Sequence, residues 1–221
     1  MRRGTGRRTP QPRYADRAHA GRVLGEALKA HLPSDPGVVV LGLPRGGVPV
    51  AAEVARALGA PLDVFVVRKL GTPGQPELAM GAIASGGVRV LNTRLVRELG
   101  IADAALDRVA SRELLELRRR EQHYRGDRPP PSLAGRMVVL VDDGLATGAS
   151  ARAAVTAVRA ADPARVVLAV PVGAPDACRL LEGVADDVVC PHTSDDFSSV
   201  GAHYRDFTQV EDEQVRRLLV G

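Results

Sequence analysis

Four stretches of this chain are short, aliphatic and flanked by turn residues, and that repetition limits the fold more than any other feature. "VVVLGL" (38–43) is the first, the runs at 136–142 and 165–170 follow the same form, and 186–190 is a shorter one opened by two acids. None alternates apolar with polar residues over its length, so each reads as a strand buried on both faces. Between them lie segments whose apolar residues recur at intervals of three and four, the spacing of helices. Strands alternating with helices require a parallel sheet covered on both sides. Phe, Trp and Tyr make up 3% of the chain and Trp is absent, so the core must be built from Val, Leu and Ala. The expected class is α/β, with a single domain over residues 15–221.

The other segments fill in this plan. Asp16 can cap a helix with Ala20, Val23, Leu24, Ala27 and Leu28 on one face. "VPVAAEVARALG" reads as a helix ending at Gly59, and "PLDVFVVRKL" as the next strand. "GTPGQPE" (71–77), with two prolines and two glycines, reads as an irregular loop. "MGAIASGGVRVLN" has the form of a hairpin turning at Gly86-Gly87. Over 93–125, Leu106, Ala110, Leu114 and Leu117 mark one face of a long helix whose other faces are charged. That region, about 93–128, reads as a helical insertion packed on the domain.

The net charge of +4 is a property of one end. Residues 1–13 hold Arg2, Arg3, Arg7, Arg8 and Arg13 and no acid; with those five set aside, 25 basic residues face 26 acidic ones. A basic arm can grip nucleic acid. No binding motif accompanies this one, and residues 1–14 read as a disordered arm rather than a nucleic-acid site. Two cysteines, Cys178 and Cys190, are too few for a disulfide scaffold or a zinc quartet, and read as thiols in a reducing compartment. No run is long and apolar enough to span a membrane, and no apolar core of a signal peptide follows the first charges. The expected location is the cytoplasm, with no membrane partner.

The run at 138–141 leads straight into chemistry, in "VVLVDDGLATGAS" (138–150). Asp142 and Asp143 stand at the carboxyl end of a strand, the edge of an open α/β sheet where ligands bind. The loop behind them ends at a helix start, where unpaired amides and a partial positive charge suit a phosphate. Thr147 and Ser150 add hydroxyl donors. Carboxylates repel a phosphate but accept hydrogen bonds from sugar hydroxyls. Together the two halves read as a site for a sugar phosphate.

This stretch resembles the phosphoribosyl pyrophosphate (PRPP) motif of the type I phosphoribosyltransferases. The resemblance covers about residues 15–219 and implies their fold: a Rossmann-like central parallel sheet flanked by helices, with a small hood, here expected at about 190–210. It assigns Asp142 and Asp143 to the ribose hydroxyls, and Ala146, Thr147, Gly148, Ala149 and Ser150 to the 5-phosphate. Gly144 departs from the family, which usually has an aliphatic residue or serine there. "LPRGGVPV" resembles the pyrophosphate loop, with Arg45, Gly46 and Gly47 as its ligands. "VRKLGTPGQPELAMG" resembles the mobile catalytic loop, which gives Arg68 and Lys69 to the leaving pyrophosphate and Glu77 to a proton. Phe197 and Tyr204 of the tail would stack on the acceptor. The same segment holds His192 and His203, which read as structural.

The activity implied is transfer of 5-phosphoribosyl from PRPP to a small-molecule acceptor, a nucleobase among the candidates, with release of pyrophosphate. Mg²⁺ would arrive on the substrate, with no direct protein ligands. In the 6-oxopurine branch the position of Ala146 holds an aspartate that takes the base proton, so hypoxanthine and guanine are disfavoured. Two further readings stay open: a non-catalytic PRPP-sensing regulator on the same fold, and a ribose-phosphate hydrolase. The sequence also leaves a homodimer open.

Overall fold

The computed structural model describes residues 13–220 apart from Ser34 and Pro36. Helix α1 (Arg17–His31) leads to β1 (Val39–Gly42), α2 (Gly47–Leu58) and β2 (Leu62–Val64). Three antiparallel strands follow, β3 (Val67–Thr72), β4 (Gln75–Ala84) and β5 (Val88–Leu91), then α3 (Thr93–Glu98) and α4 (Asp103–Arg125). The chain continues through β6 (Met137–Val141), α5 (Ala149–Arg159), β7 (Arg165–Ala169), β8 (Val172–Gly173) and α6 (Pro175–Glu182). It closes with β9 (Asp187–Val189), β10 (His192–Thr193) and α7 (Asp212–Val220).

The central sheet has the order β2-β1-β6-β7-β9, and every pairing in it is parallel. The aliphatic strands lie at its centre: all five residues of β6 are buried, as are all four of β1. One face packs Val39, Leu41, Val138 and Leu140 against α5 and α6. The other packs Val40, Val139 and Val141 against Leu24 and Leu28 of α1 and Val50 and Val54 of α2. Each such side chain taken fully from water contributes about 1.5–3 kcal/mol, so an aromatic-poor chain can hold this fold on Val and Leu alone.

Local chemistry sets the helix ends. The Asp16 carboxylate accepts from His19 N–H and caps α1, and Gly59 ends α2 in the left-handed region. The hairpin expected around Gly86-Gly87 is present as β4 and β5. Helix α4 carries Leu106, Ala110 and Leu117 into a core formed with Leu70, Met80 and Ile83 and with Val215 and Leu219 of α7. Two ion pairs fix it. Arg125 Nε donates to both carboxylate oxygens of Asp63 of β2, at 3.0 and 2.8 Å, and Glu113 Oε2 accepts from Arg68 Nη2 of β3 at 2.6 Å.

Three sequence expectations change. The segment 71–77 is not an irregular loop. Thr72 pairs with Gln75 across a tight turn, and register shifts after Leu70 absorb the glycine and proline residues. The strand expected over 61–70 is two strands in different sheets, because the chain leaves the central sheet at Phe65–Val66. The described fold also includes the last two residues of the expected arm. Arg13 and Tyr14 both donate backbone N–H to His203 O, and the Tyr14 side chain is buried with its hydroxyl on Pro171 O. Residues 1–12 lie outside the described residues.

Candidate sugar-phosphate site

Strand order reverses between β1 and β6: the chain steps from β1 outward to β2, and from β6 outward to β7 and β9. At such a switch point the loops leaving adjacent strands diverge and open a crevice at their carboxyl ends. The two motifs read from the sequence occupy this crevice. Pro44–Gly47 follows β1, and Asp142–Ser150 follows β6.

They are in close contact, and the glycines show how close. A Cβ on Gly46 would lie 2.0 Å from Asp143 Oδ2, and one on Gly47 would lie 2.6 Å from Val141 O and 2.8 Å from Asp142 Cα. Only residues without side chains let the loop after β1 rest on the acid pair. The Pro44–Arg45 peptide is cis. The Arg45 guanidinium is partly exposed, 3.8 Å from Glu211.

Each aspartate has one oxygen held by the protein. Asp142 Oδ1 accepts from the Asp143 N–H at 2.9 Å. Asp143 Oδ2 accepts from Arg17 Nε at 2.8 Å. Asp142 Oδ2 and Asp143 Oδ1 have no hydrogen-bond partner among the described residues, and neither is sealed from solvent. Burial, and then the charge of Asp143, hold the Asp142 carboxyl well above the usual carboxylate range. Burial raises Asp143 too, against the opposing pull of Arg17. Two desolvated acids side by side are costly for a fold, and such perturbed groups in a crevice mark functional sites.

The loop beyond is anchored at Leu145 and Gly148 and exposed at Ala146, Thr147, Ala149 and Ser150. Leu145 is buried, donates N–H to Val172 O at 2.9 Å, and accepts from Ala174 N–H at 2.8 Å. Gly148, at φ 76°, turns the chain into α5, whose first turn contains no acid. Ala146, Thr147, Ala149 and Ser150 line the open side of the loop, so their amides can meet an anion at a helix N-terminus. Gly144, the departure from the family pattern, has a local cause: a Cβ there would lie 2.5 Å from Val200 Cγ1, in the tail that folds over the loop.

Other expected residues lie elsewhere or serve the fold. Tyr204 is not presented to an acceptor. Its ring is 5% exposed and its hydroxyl donates to Asp143 O at 2.5 Å, which makes it a support for the acid pair. Phe197 stacks on buried His203, with ring centroids 5.2 Å apart, and packs beside Tyr14 and Tyr204. Burial lowers the pKa of both His192 and His203, which keeps these rings neutral at neutral pH. Arg68 is committed to Glu113, so it is tied to α4 and not free for a leaving group. Lys69 and Glu77 face each other across the β3–β4 hairpin at 3.2 Å, both exposed. Among the described residues no cluster of three or more His, Cys, Asp or Glu could hold a metal ion.

Arg17 was missed by sequence reasoning. Its one signal is its position: a cation in the first turn of a helix opposes the helix dipole and needs a partner elsewhere.

A family model described as phosphoribosyl transferase domain matches residues 21–206. Two Mycobacterium tuberculosis proteins, provisionally named phosphoribosyl transferases, are each 54% identical over 206 residues. That alignment covers 93% of this chain and 46% of theirs, so the chain spans about half the length of the curated relatives it matches. The crystal structure of TT1426 from Thermus thermophilus superposes with a TM-score of 0.83 at 51% identity, covering 94% of this chain and 98% of that one. A Neisseria gonorrhoeae protein crystallised with bound ppGpp shares the fold at 13% identity, with a TM-score of 0.52 over 96% of this chain and 97% of that one.

Proposed function

Because this chain belongs to the phosphoribosyl transferase domain family, we propose that it binds PRPP, with its Mg²⁺, across the carboxyl ends of β1 and β6 and transfers the phosphoribosyl group to a small-molecule acceptor. The observation that carries this reading is the pair of carboxylate oxygens left free beside an open helix N-terminus. Asp142 Oδ2 and Asp143 Oδ1 accept from two neighbouring ribose hydroxyls. The amides of 146–150 hold the 5-phosphate.

The reaction breaks the bond from C1 to the pyrophosphate oxygen as an acceptor nucleophile attacks C1. Positive charge grows on the sugar and negative charge on the leaving group. Fixed dipoles and cations already aimed at those charges lower the barrier. Arg45 and the amides of Gly46 and Gly47 stabilise the departing pyrophosphate, part of whose charge a substrate-borne Mg²⁺ would neutralise. Lys69 reaches the same group when the β3–β4 hairpin closes, and Glu77 takes the acceptor proton; both are exposed and uncommitted to the core. Nothing at Ala146 can take a base proton, which argues against 6-oxopurine acceptors.

Calorimetric titration of PRPP with Mg²⁺ tests the reading. Binding by the wild type, lost in Asp142→Asn with Asp143→Asn at an unchanged fold, is the expected result. Binding that survives the double substitution rejects it. Turnover then separates the alternatives. Pyrophosphate release on addition of adenine, uracil or orotate identifies a transferase. Ribose 5-phosphate formed with no acceptor identifies a hydrolase, and binding without turnover identifies a sensor.

A further inference from the structure

Arg17 joins three parts of the chain that are far apart in sequence. It starts on α1. Its Nε donates to Asp143 Oδ2 at 2.8 Å, its Nη1 donates to Thr208 O at 2.8 Å, and its guanidinium carbon lies 3.9 Å from the centre of the Phe207 ring. The side chain is only 11% exposed. A guanidinium with its edge on a carboxylate and a carbonyl and its face on an aromatic ring has little freedom left. Asp143 is confined on its other sides as well. Gly46 packs against Oδ2, and the Tyr204 hydroxyl holds the backbone carbonyl.

We infer that Arg17 is a positioning residue for the PRPP site: by holding Asp143 Oδ2 it turns Oδ1 toward the ribose. The inference rests on the sugar-phosphate reading above. Oδ1 is the stronger acceptor while the group is charged, and its partly buried surroundings work against that charge. Arg17 is the cation that counters them. The charged and titratable groups facing Asp143 are Arg17 from α1, Asp142 from the same strand end and Tyr204 from the tail; the loop after β1 brings only Gly46. Tyr204 is held protonated by burial, so it adds no charge.

The test is PRPP binding, with Mg²⁺, as a function of pH for wild type, Arg17→Ala, Arg17→Gln and Arg17→Lys. Titration of the ligand's own phosphates is common to all four and cancels in the comparison. Without the cation, Asp143 protonates more readily, and the acid limb of the binding curve moves up by about one to three pH units in Arg17→Ala and Arg17→Gln. Arg17→Lys moves it back toward the wild type. In an Asp143→Asn background, Arg17→Ala moves it no further. Thermal unfolding is measured in parallel, and Arg17→Gln, which keeps a donor to Asp143, serves if Arg17→Ala does not fold. A strap that only held the tail would weaken binding equally at every pH. Coincident profiles, or affinity that does not change, therefore overturn the role of Arg17 while wild-type binding leaves the site reading intact. A wild type that binds no PRPP overturns both.

Discussion

At Gly46 the space that a methyl group needs is already filled by the Asp143 carboxylate. Gly46→Ala is therefore expected to push Asp143 away from Arg17 and reduce PRPP affinity at least about 10-fold, a difference of roughly 1.4 kcal/mol, with the circular dichroism spectrum unchanged. Asp142 makes the opposite trade. Its folded-state pKa is raised, so the proton favours the fold. That contribution is complete below the ordinary carboxylate value and is lost as pH rises through the raised one. At neutral pH the ionised group is a net cost. Asp142→Asn removes the cost, and the unfolding midpoint at pH 7 is expected to rise by ~2–4 °C, the shift that ~1 kcal/mol gives in a chain of this size. The gain should shrink as the pH is lowered toward about 4, the ordinary carboxylate value. A midpoint that falls at pH 7 would mean the buried charge is better compensated than its neighbours indicate. At this scale, what could be read from sequence was what is contiguous. Asp142, Asp143 and the loop to Ser150 are consecutive, so strand polarity alone put them on one edge. Arg17 and Tyr204 reach Asp143 from 126 and 61 residues away, and no local pattern encodes such a meeting.

The β3–β4 hairpin and α4 stand in the same relation at the scale of elements. Proline and glycine made 71–77 look irregular, yet the hairpin tolerates them because its register shifts fall at Leu70–Thr72. The amphipathic spacing of α4 was visible, but its anchors were not: Asp63 and Arg125 are a buried pair joined by the fold. Removing one member leaves the other charge buried without a partner, at a cost of about 3–5 kcal/mol. Arg125→Met should lower stability to chemical denaturants by that amount; a loss under about 1 kcal/mol, the range of an exposed pair, would show that Asp63 is solvated without it. The exposed Lys69–Glu77 pair is a different case, worth at most ~1 kcal/mol to the fold. Lys69→Ala and Glu77→Gln should leave the unfolding midpoint in place and lower kcat, for Glu77→Gln by about 10²-fold if it moves a proton. Unchanged kcat in both would leave the hairpin without a chemical role.

For the whole molecule, the alternation of buried strands and helices was enough to give the parallel sheet and the two faces on which it is packed. Periodicity is a local signal, and the sheet is built from units that each declare themselves locally. The tail after His192 has no such period. Its course is set by Tyr14, Arg17 and Gly144, which it meets from the far end of the chain. The same fact bears on time. The β-α-β units join neighbours in sequence, whereas the bridge between Tyr14 and Tyr204 and the bond from Arg17 to Thr208 close loops of nearly the whole chain length. Long loops close at the greatest entropic cost and favour late formation. On dilution from denaturant, helical signal should return first and PRPP binding measurably later; simultaneous recovery would show that the ends dock as early as the sheet. A newly made chain would thus pass through an interval in which its core is complete and its ribose carboxylates are still unsupported, and a protease that trims the tail during that interval would leave a folded protein with no grip on its ligand.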